Sequence, residues 1–217
     1  MKKNQTNQNL LGNNKKIGDR HFVPNRPTAQ QAEDAVRTLI AWAGDNPNRE
    51  GLLETPKRVV NAYRDFFSGY DEDYKKILGK TFDDIDNYED LVLIKNIRME
   101  SHCEHHMVPF IGVAHVAYIP NKKVVGISKI ARLVDIFAKR LQTQETLTNQ
   151  IAYALMDSLK PKGVAVLIDS KHQCMTTRGI HKISASTVTM SMHGEFRNDP
   201  ILEDRFLNMI KINSQEC

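Results

Sequence analysis

Two short clusters constrain this chain more than anything else in it: Cys103-Glu104-His105-His106 and His172-Gln173-Cys174. They lie far apart in sequence, so a fold that uses them together must bring two distant segments to one point. Thiolates and imidazoles are the donor set of Zn²⁺, and a C-x-x-H step lets a single turn present both side chains. Cys103, His106 and Cys174 would make three protein ligands and leave a fourth position open, which is the habit of catalytic rather than structural zinc sites. His105 and His172 are then left beside the metal, free to move protons. Two other readings of the same residues stand beside this one. Buried thiols can be inert core residues, and His105 could close a four-ligand structural site. Two of the three cysteines sit within reach of histidines, which favours the metal. The third, Cys217, is the last residue and is expected on a frayed end.

The chain suits one domain with an N-terminal extension and is long enough to bury a sizeable core. No apolar run approaches the length of a membrane span, and Met1 to Arg20 are polar with no secretory apolar stretch. The few cysteines form no paired framework, which fits a reducing cytoplasm. The formal net charge of +4 is misleading. Lys2, Lys3, Lys15, Lys16 and Arg20 against Asp19 supply all of it, so residues 21–217 are neutral. A general nucleic-acid-binding surface is therefore excluded, and any anion site must be a local cluster of basic residues.

Residues 1–27 are expected to be a disordered extension, 28–90 an N-terminal helical region and 91–217 the catalytic domain. Thr28 reads as the N-cap of a helix carrying Val36, Leu39, Ile40 and Ala43 on one face, stopped by Gly44. Thr55-Pro56 reads as an N-cap with proline in the first turn of a second helix, with Val59, Val60, Tyr63, Phe66 and Phe67 facing inward and Gly69 ending it. Residues 71–90 are acidic and loop-like. Leu91–Glu100 and Phe110–Ile119 read as strands, with the first cluster in their connection. Ser128 is expected to cap a helix with Ile130, Leu133, Val134 and Phe137. Thr143 starts another with Leu147, Ile151, Ala154, Leu155 and Leu159, broken by Pro161 and Gly163. Val164–Ile168 is a short buried strand leading into the second cluster. Ser184–Glu195 alternates, and a last helix spans roughly 200–210. Strand pairs flanking two helices indicate an α+β fold, a mostly antiparallel sheet with helices on one face, preceded by a helical pair.

Four separate motifs carry a family resemblance. Ser101-His102-Cys103-Glu104-His105-His106, Gly126-Ile127-Ser128-Lys129-Ile130-Ala131-Arg132, Gln142-Thr143-Gln144-Glu145 and His172-Gln173-Cys174-Met175-Thr176-Thr177-Arg178-Gly179 occur in that order, with Glu54-Thr55-Pro56-Lys57-Arg58 upstream. The chain resembles GTP cyclohydrolase I from about Asn48 to its end. That resemblance implies the tunnelling fold, built on a β-β-α-α-β-β unit. It implies conversion of GTP and water to 7,8-dihydroneopterin triphosphate and formate, the entry to pterin and tetrahydrofolate synthesis. It implies a homo-oligomer, a decamer of two stacked five-membered rings with active sites at subunit boundaries.

The resemblance also assigns roles. Cys103, His106 and Cys174 become the ligands of one zinc per chain, and His105 and His172 the catalytic acids and bases. Glu145 becomes the acceptor for guanine N1–H and the 2-amino group, with Gln144 a weaker companion. Arg58, Lys129, Arg132 and Arg178 become triphosphate-binding residues, and Ser128 a contact to the sugar. The residues alone read more plainly. Glu145 is a first-turn acid favoured by the helix dipole, and the four cations are solvated surface charges. His172 could instead only orient a ligand. His181 reads as a surface residue, and His115 as an interior histidine bonded to backbone. A nucleoside deaminase is set aside because the chain lacks the P-C-x-x-C of that class.

Overall fold

The computed structural model describes residues 25–79, 81–82 and 88–212. Most of the expected disordered extension, part of the acidic stretch and Cys217 lie outside them. Helix α1 (Ala29–Trp42) starts at Thr28, whose side chain accepts from the Gln31 N–H while the Gln31 side chain accepts from the Thr28 N–H. This reciprocal box is what the threonine predicted, and Gly44 follows the helix at φ +98. Helix α2 (Thr55–Phe66) starts one residue earlier than expected: its N-cap is Glu54, with no side-chain cap bond. Pro56 occupies the first turn, where the missing N–H removes nothing the helix needs. Tyr63 and Phe66, expected inside, stay partly exposed. The Phe66 and Phe67 rings instead meet His102, at 4.7 and 5.2 Å.

The stretch after α2 holds more structure than its acidity suggested. Gly69 passes so close to the end of the next long helix that a Cβ there would lie 2.1 Å from the Ile136 carbonyl oxygen. Its own carbonyl accepts from Arg140 Nε at 3.0 Å. A short helix α3 (Tyr74–Leu78) is capped by Asp73 and buries Leu78 completely.

Strands β1 (Thr81–Phe82) and β4 (Val124–Val125) form a small antiparallel pair. The main sheet has the order β5-β2-β3-β6-β7. Its members are β2 (Val92–Cys103), β3 (Pro109–Ile119), β5 (Leu141–Gln142), β6 (Gly163–His172) and β7 (Thr187–Gly194). All neighbours are antiparallel except β2 and β5. Helices α4 (Ile127–Ala138) and α5 (Gln144–Leu159) join β3 to β6, so the β-β-α-α-β-β order is present. Gly126, not Ser128, is the N-cap of α4, and Ser128 is its second residue. The chain leaves β4 through Gly126 in extended conformation and enters the helix without a hydroxyl cap.

One face of the sheet packs Phe110, Ala114, Val116, Tyr118, Val164, Val166 and Ile168 against Ile130, Leu133, Phe137, Leu147, Ile151 and Leu155. Each large apolar side chain buried here contributes about 1.5–3 kcal/mol, and this layer fixes α4 and α5. The C-terminal helices α7 (Glu195–Asn198) and α8 (Pro200–Lys211) cover the other face at one end, through Phe196 and Phe206 on Ala117, Ile119 and Ala165. Between β6 and β7, α6 (Gln173–Thr176) is a single turn at the end of β6. Strand β7 turns its hydroxyls inward: Thr189 Oγ1 meets Thr148 Oγ1 of α5 at 2.6 Å, while Val188 and Met190 are exposed. His115 is buried as expected, and its Nδ1 accepts from the Asn96 N–H at 3.4 Å beside a bulge in β2. Burial holds its pKa below the usual histidine value. No described helix is long and apolar enough to cross a membrane.

Candidate metal centre

Sheet topology explains how the two clusters meet. Strands β2 and β6 are both antiparallel to β3, so they run parallel to each other and end on the same side of the sheet. Cys103 is the last residue of β2, and Cys174 lies in α6, directly after β6. Only the start of β3 stands between them. Strand β5 pairs with β2 in parallel at His102 and Cys103, which delivers Gln144 and Glu145 to the same end.

The first cluster is held by its own backbone. The Cys103 N–H donates to the Val108 carbonyl at 3.0 Å, and the Met107 N–H to the Cys103 carbonyl at 2.8 Å. The Glu104 N–H donates to the Gln142 carbonyl at 3.0 Å, tying the turn to β5. Within this turn Cys103 Sγ and His106 Nδ1 lie 3.9 Å apart. The ligand atoms of Cys103, His106 and Cys174 all fall within 4.8 Å of one another. Tetrahedral zinc with ordinary Zn–S and Zn–N bonds sets its ligand atoms about 3.6–3.8 Å apart, so the donor set fits with small adjustment. Among the described residues this is the one such group. Burial pushes the Cys174 thiol up, and the neighbouring Cys103 adds to that, with Arg178 opposing. A bound divalent cation must displace those protons, so metal affinity falls in acid.

The other expected residues divide between two places. His105 is exposed, with its ring 6.4 Å from that of His106. His172 ends β6 opposite Phe110, and the two rings stack at 4.6 Å and 6°. Its pKa is lowered by burial, and the Glu145 carboxylate pulls it the other way. Glu145 is exposed in the first turn of α5, and Arg178 follows α6 closely enough for its charge to act on Cys174. These residues share the metal end. Gln144 does too, but its side chain is buried and bonded within the chain. Ser128, Lys129 and Arg132 do not share that end. They sit in the first two turns of α4, which starts beyond the far end of β3 and returns toward Cys103 only at its C-terminus. Helix rise of about 1.5 Å per residue puts the first turn of α4 roughly 15 Å or more from that end. Arg58 is exposed on α2.

A family model described as GTP cyclohydrolase I matches residues 32–211. A GTP cyclohydrolase 1 of Maricaulis maris is 62% identical over 189 residues, covering 87% of this chain and 92% of the relative. One of Hyphomonas neptunium is 60% identical over 184 residues, covering 85% and 89%. Among solved structures, an archaeosine synthase QueF-Like in the apo form overlaps 48% of this chain and 93% of its own, with 23% identity and a TM-score of 0.41.

Proposed function

Because this chain belongs to the GTP cyclohydrolase I family, and so stands at the first step of pterin and folate biosynthesis, we propose that Cys103, His106 and Cys174 form its zinc centre. The observation that carries the reading is the convergence of those three donors from two distant segments, with no fourth protein ligand among the described residues. Zinc held there supplies a Lewis acid that activates water at neutral pH.

The chain's own residues do the rest. C8 of guanine takes up water, the imidazole ring opens, and C8 leaves as formate. Electrons move onto N7 as C8 is attacked, and a proton must follow. His172 and His105 stand at the metal end to carry protons to and from ring nitrogen and sugar. Burial lowers the pKa of His172, which favours the neutral form that can accept one. The Glu145 carboxylate accepts from guanine N1–H and the 2-amino group, and Arg178 meets phosphate oxygens with its fork of donors.

The far placement of Ser128, Lys129 and Arg132 supports a site shared between copies. The metal end of one chain meets the first turn of α4 from another, where the positive end of the helix dipole favours an anion. Exposed Leu39, Trp42, Ile180, Ile183, Val188 and Met190 give the chain apolar surface to bury in such contacts. The assembly we propose is the decamer of two stacked five-membered rings.

Mixed oligomers test both ideas. The unsubstituted protein is expected to release formate and a fluorescent pterin from GTP. Cys174→Ala and Arg132→Ala chains should each be nearly inactive alone. Co-expressed in equal amounts, they should regain about a quarter of the activity, since random mixing in a symmetric ring leaves about that fraction of sites with neither substitution. No recovery would contradict the shared site, and no formate from the unsubstituted protein would contradict the activity.

A further inference from the structure

Gln144 stands beside the guanine-binding position in the family motif, yet its side chain is almost wholly buried, at 1% exposure. All its polar atoms are engaged inside the chain. Nε2 donates to the Ile168 carbonyl at 3.1 Å and to the Thr187 carbonyl at 2.8 Å. Oε1 receives the Ser170 hydroxyl at 2.8 Å and faces His172 Nε2 at 2.8 Å.

The orientation of this amide is not arbitrary. Oxygen and nitrogen of a glutamine are told apart by their partners, and here one end faces two backbone carbonyls. Carbonyl oxygens only accept, so the NH₂ group must point at them. The other end is then the amide oxygen, which has no proton to give. His172 Nε2 must therefore be the donor, and a neutral imidazole with Nε2–H carries its lone pair on Nδ1. Two restraints act on the ring together: Phe110 stacks on its face, and Gln144 sets its rotation within that plane.

We propose that Gln144 is a positioning residue that holds His172 as the Nε2–H tautomer, leaving Nδ1 as the atom that accepts and returns the proton. This deepens the reading of His172 as a catalytic residue and removes the Gln144 side chain from substrate contact. Ser170 is the second donor to the Gln144 amide oxygen and helps to fix it.

Two measurements on the zinc-loaded protein test this. Solid-state ¹⁵N spectra of histidine-labelled protein, with the His172 signal identified by its loss in His172→Ala, should show neutral His172 protonated at Nε2. A neutral Nδ1–H tautomer would overturn the proposal. This readout does not depend on turnover, so it stands apart from any failure of the proposed activity. The second is Gln144→Leu, expected to lower kcat about 10–100-fold, the range that follows loss of the hydrogen-bond partner of a metal-bound histidine, carried over to one beside the metal. KM for GTP and zinc content should stay as they were. A raised KM with kcat preserved would mean that Gln144 touches substrate, and would overturn it. If Gln144→Leu does not assemble, the spectrum of the unsubstituted protein decides.

Discussion

Replacing Cys174 with alanine is expected to remove bound metal and GTP turnover in one step. The substitution takes away one of three donors whose ligand atoms lie within 4.8 Å of one another. It takes away the only donor supplied by the second segment, so Cys103 and His106 remain as a two-ligand remnant on one turn. The loss in turnover should reach about 10³-fold or more, because the Lewis-acid contribution is several kcal/mol and each 1.36 kcal/mol is about tenfold in rate. The fold should survive. Cys174 is only partly buried, and the sheet that carries it is held by the α4–α5 layer. Metal analysis and far-ultraviolet circular dichroism on the same sample check both halves. Zinc retained at the level of the unsubstituted protein would contradict the ligand assignment.

The second large effect is expected from His172→Ala, with the opposite pattern: zinc retained and turnover lost. His172 ends β6, two residues before Cys174, but its Nε2 faces Gln144, and it is not among the three grouped donors. A positioned acid or base of this kind contributes roughly 10²–10⁴-fold, and that is the fall expected in kcat. GTP binding should hold, because Glu145 and Arg178 stay in place. The substitution also leaves the Gln144 amide oxygen with one donor fewer, which lowers stability by about 1 kcal/mol. Single-turnover kinetics with metal analysis separates the outcomes. Zinc lost together with turnover would make His172 a residue that only steadies the metal.

Much of this architecture is legible in the residues, and the misses have physical causes. The long elements follow from period: α4 and α5 bury the positions their 3.6-residue spacing marks, and β3 buries nearly all of its second half. The caps are less legible, since several residues near a helix start can serve. Thr28 and Thr143 do cap, whereas Thr55 and Ser128 lie inside their helices behind Glu54 and Gly126. Helix α3 was hidden because five residues in an acidic stretch show no period, and only the burial of Leu78 reveals why it forms. Strand β5 is two residues long and exists through its pairing with His102 and Cys103, which no local pattern encodes.

The site divides the same way. Cys103, His106 and Cys174 announce themselves by residue type, and the structure brings them together. Gln144 does not. Its bonds run to Ile168, Ser170, His172 and Thr187, all far along the chain, so its position shows only once the sheet is assembled. Its place in the motif suggests substrate contact, and its burial argues for support of a neighbour. The opposite-end placement of Ser128 and Lys129 is likewise a property of connectivity and not of any short motif.

The most direct test of the account is metal content measured together with GTP turnover, before and after chelation, on the purified unsubstituted protein. The expected result is about one zinc per chain, formate and a pterin produced from GTP, both lost when zinc is stripped and both restored when it is returned. Full turnover in protein stripped of metal, or zinc bound with no formate released, would contradict it.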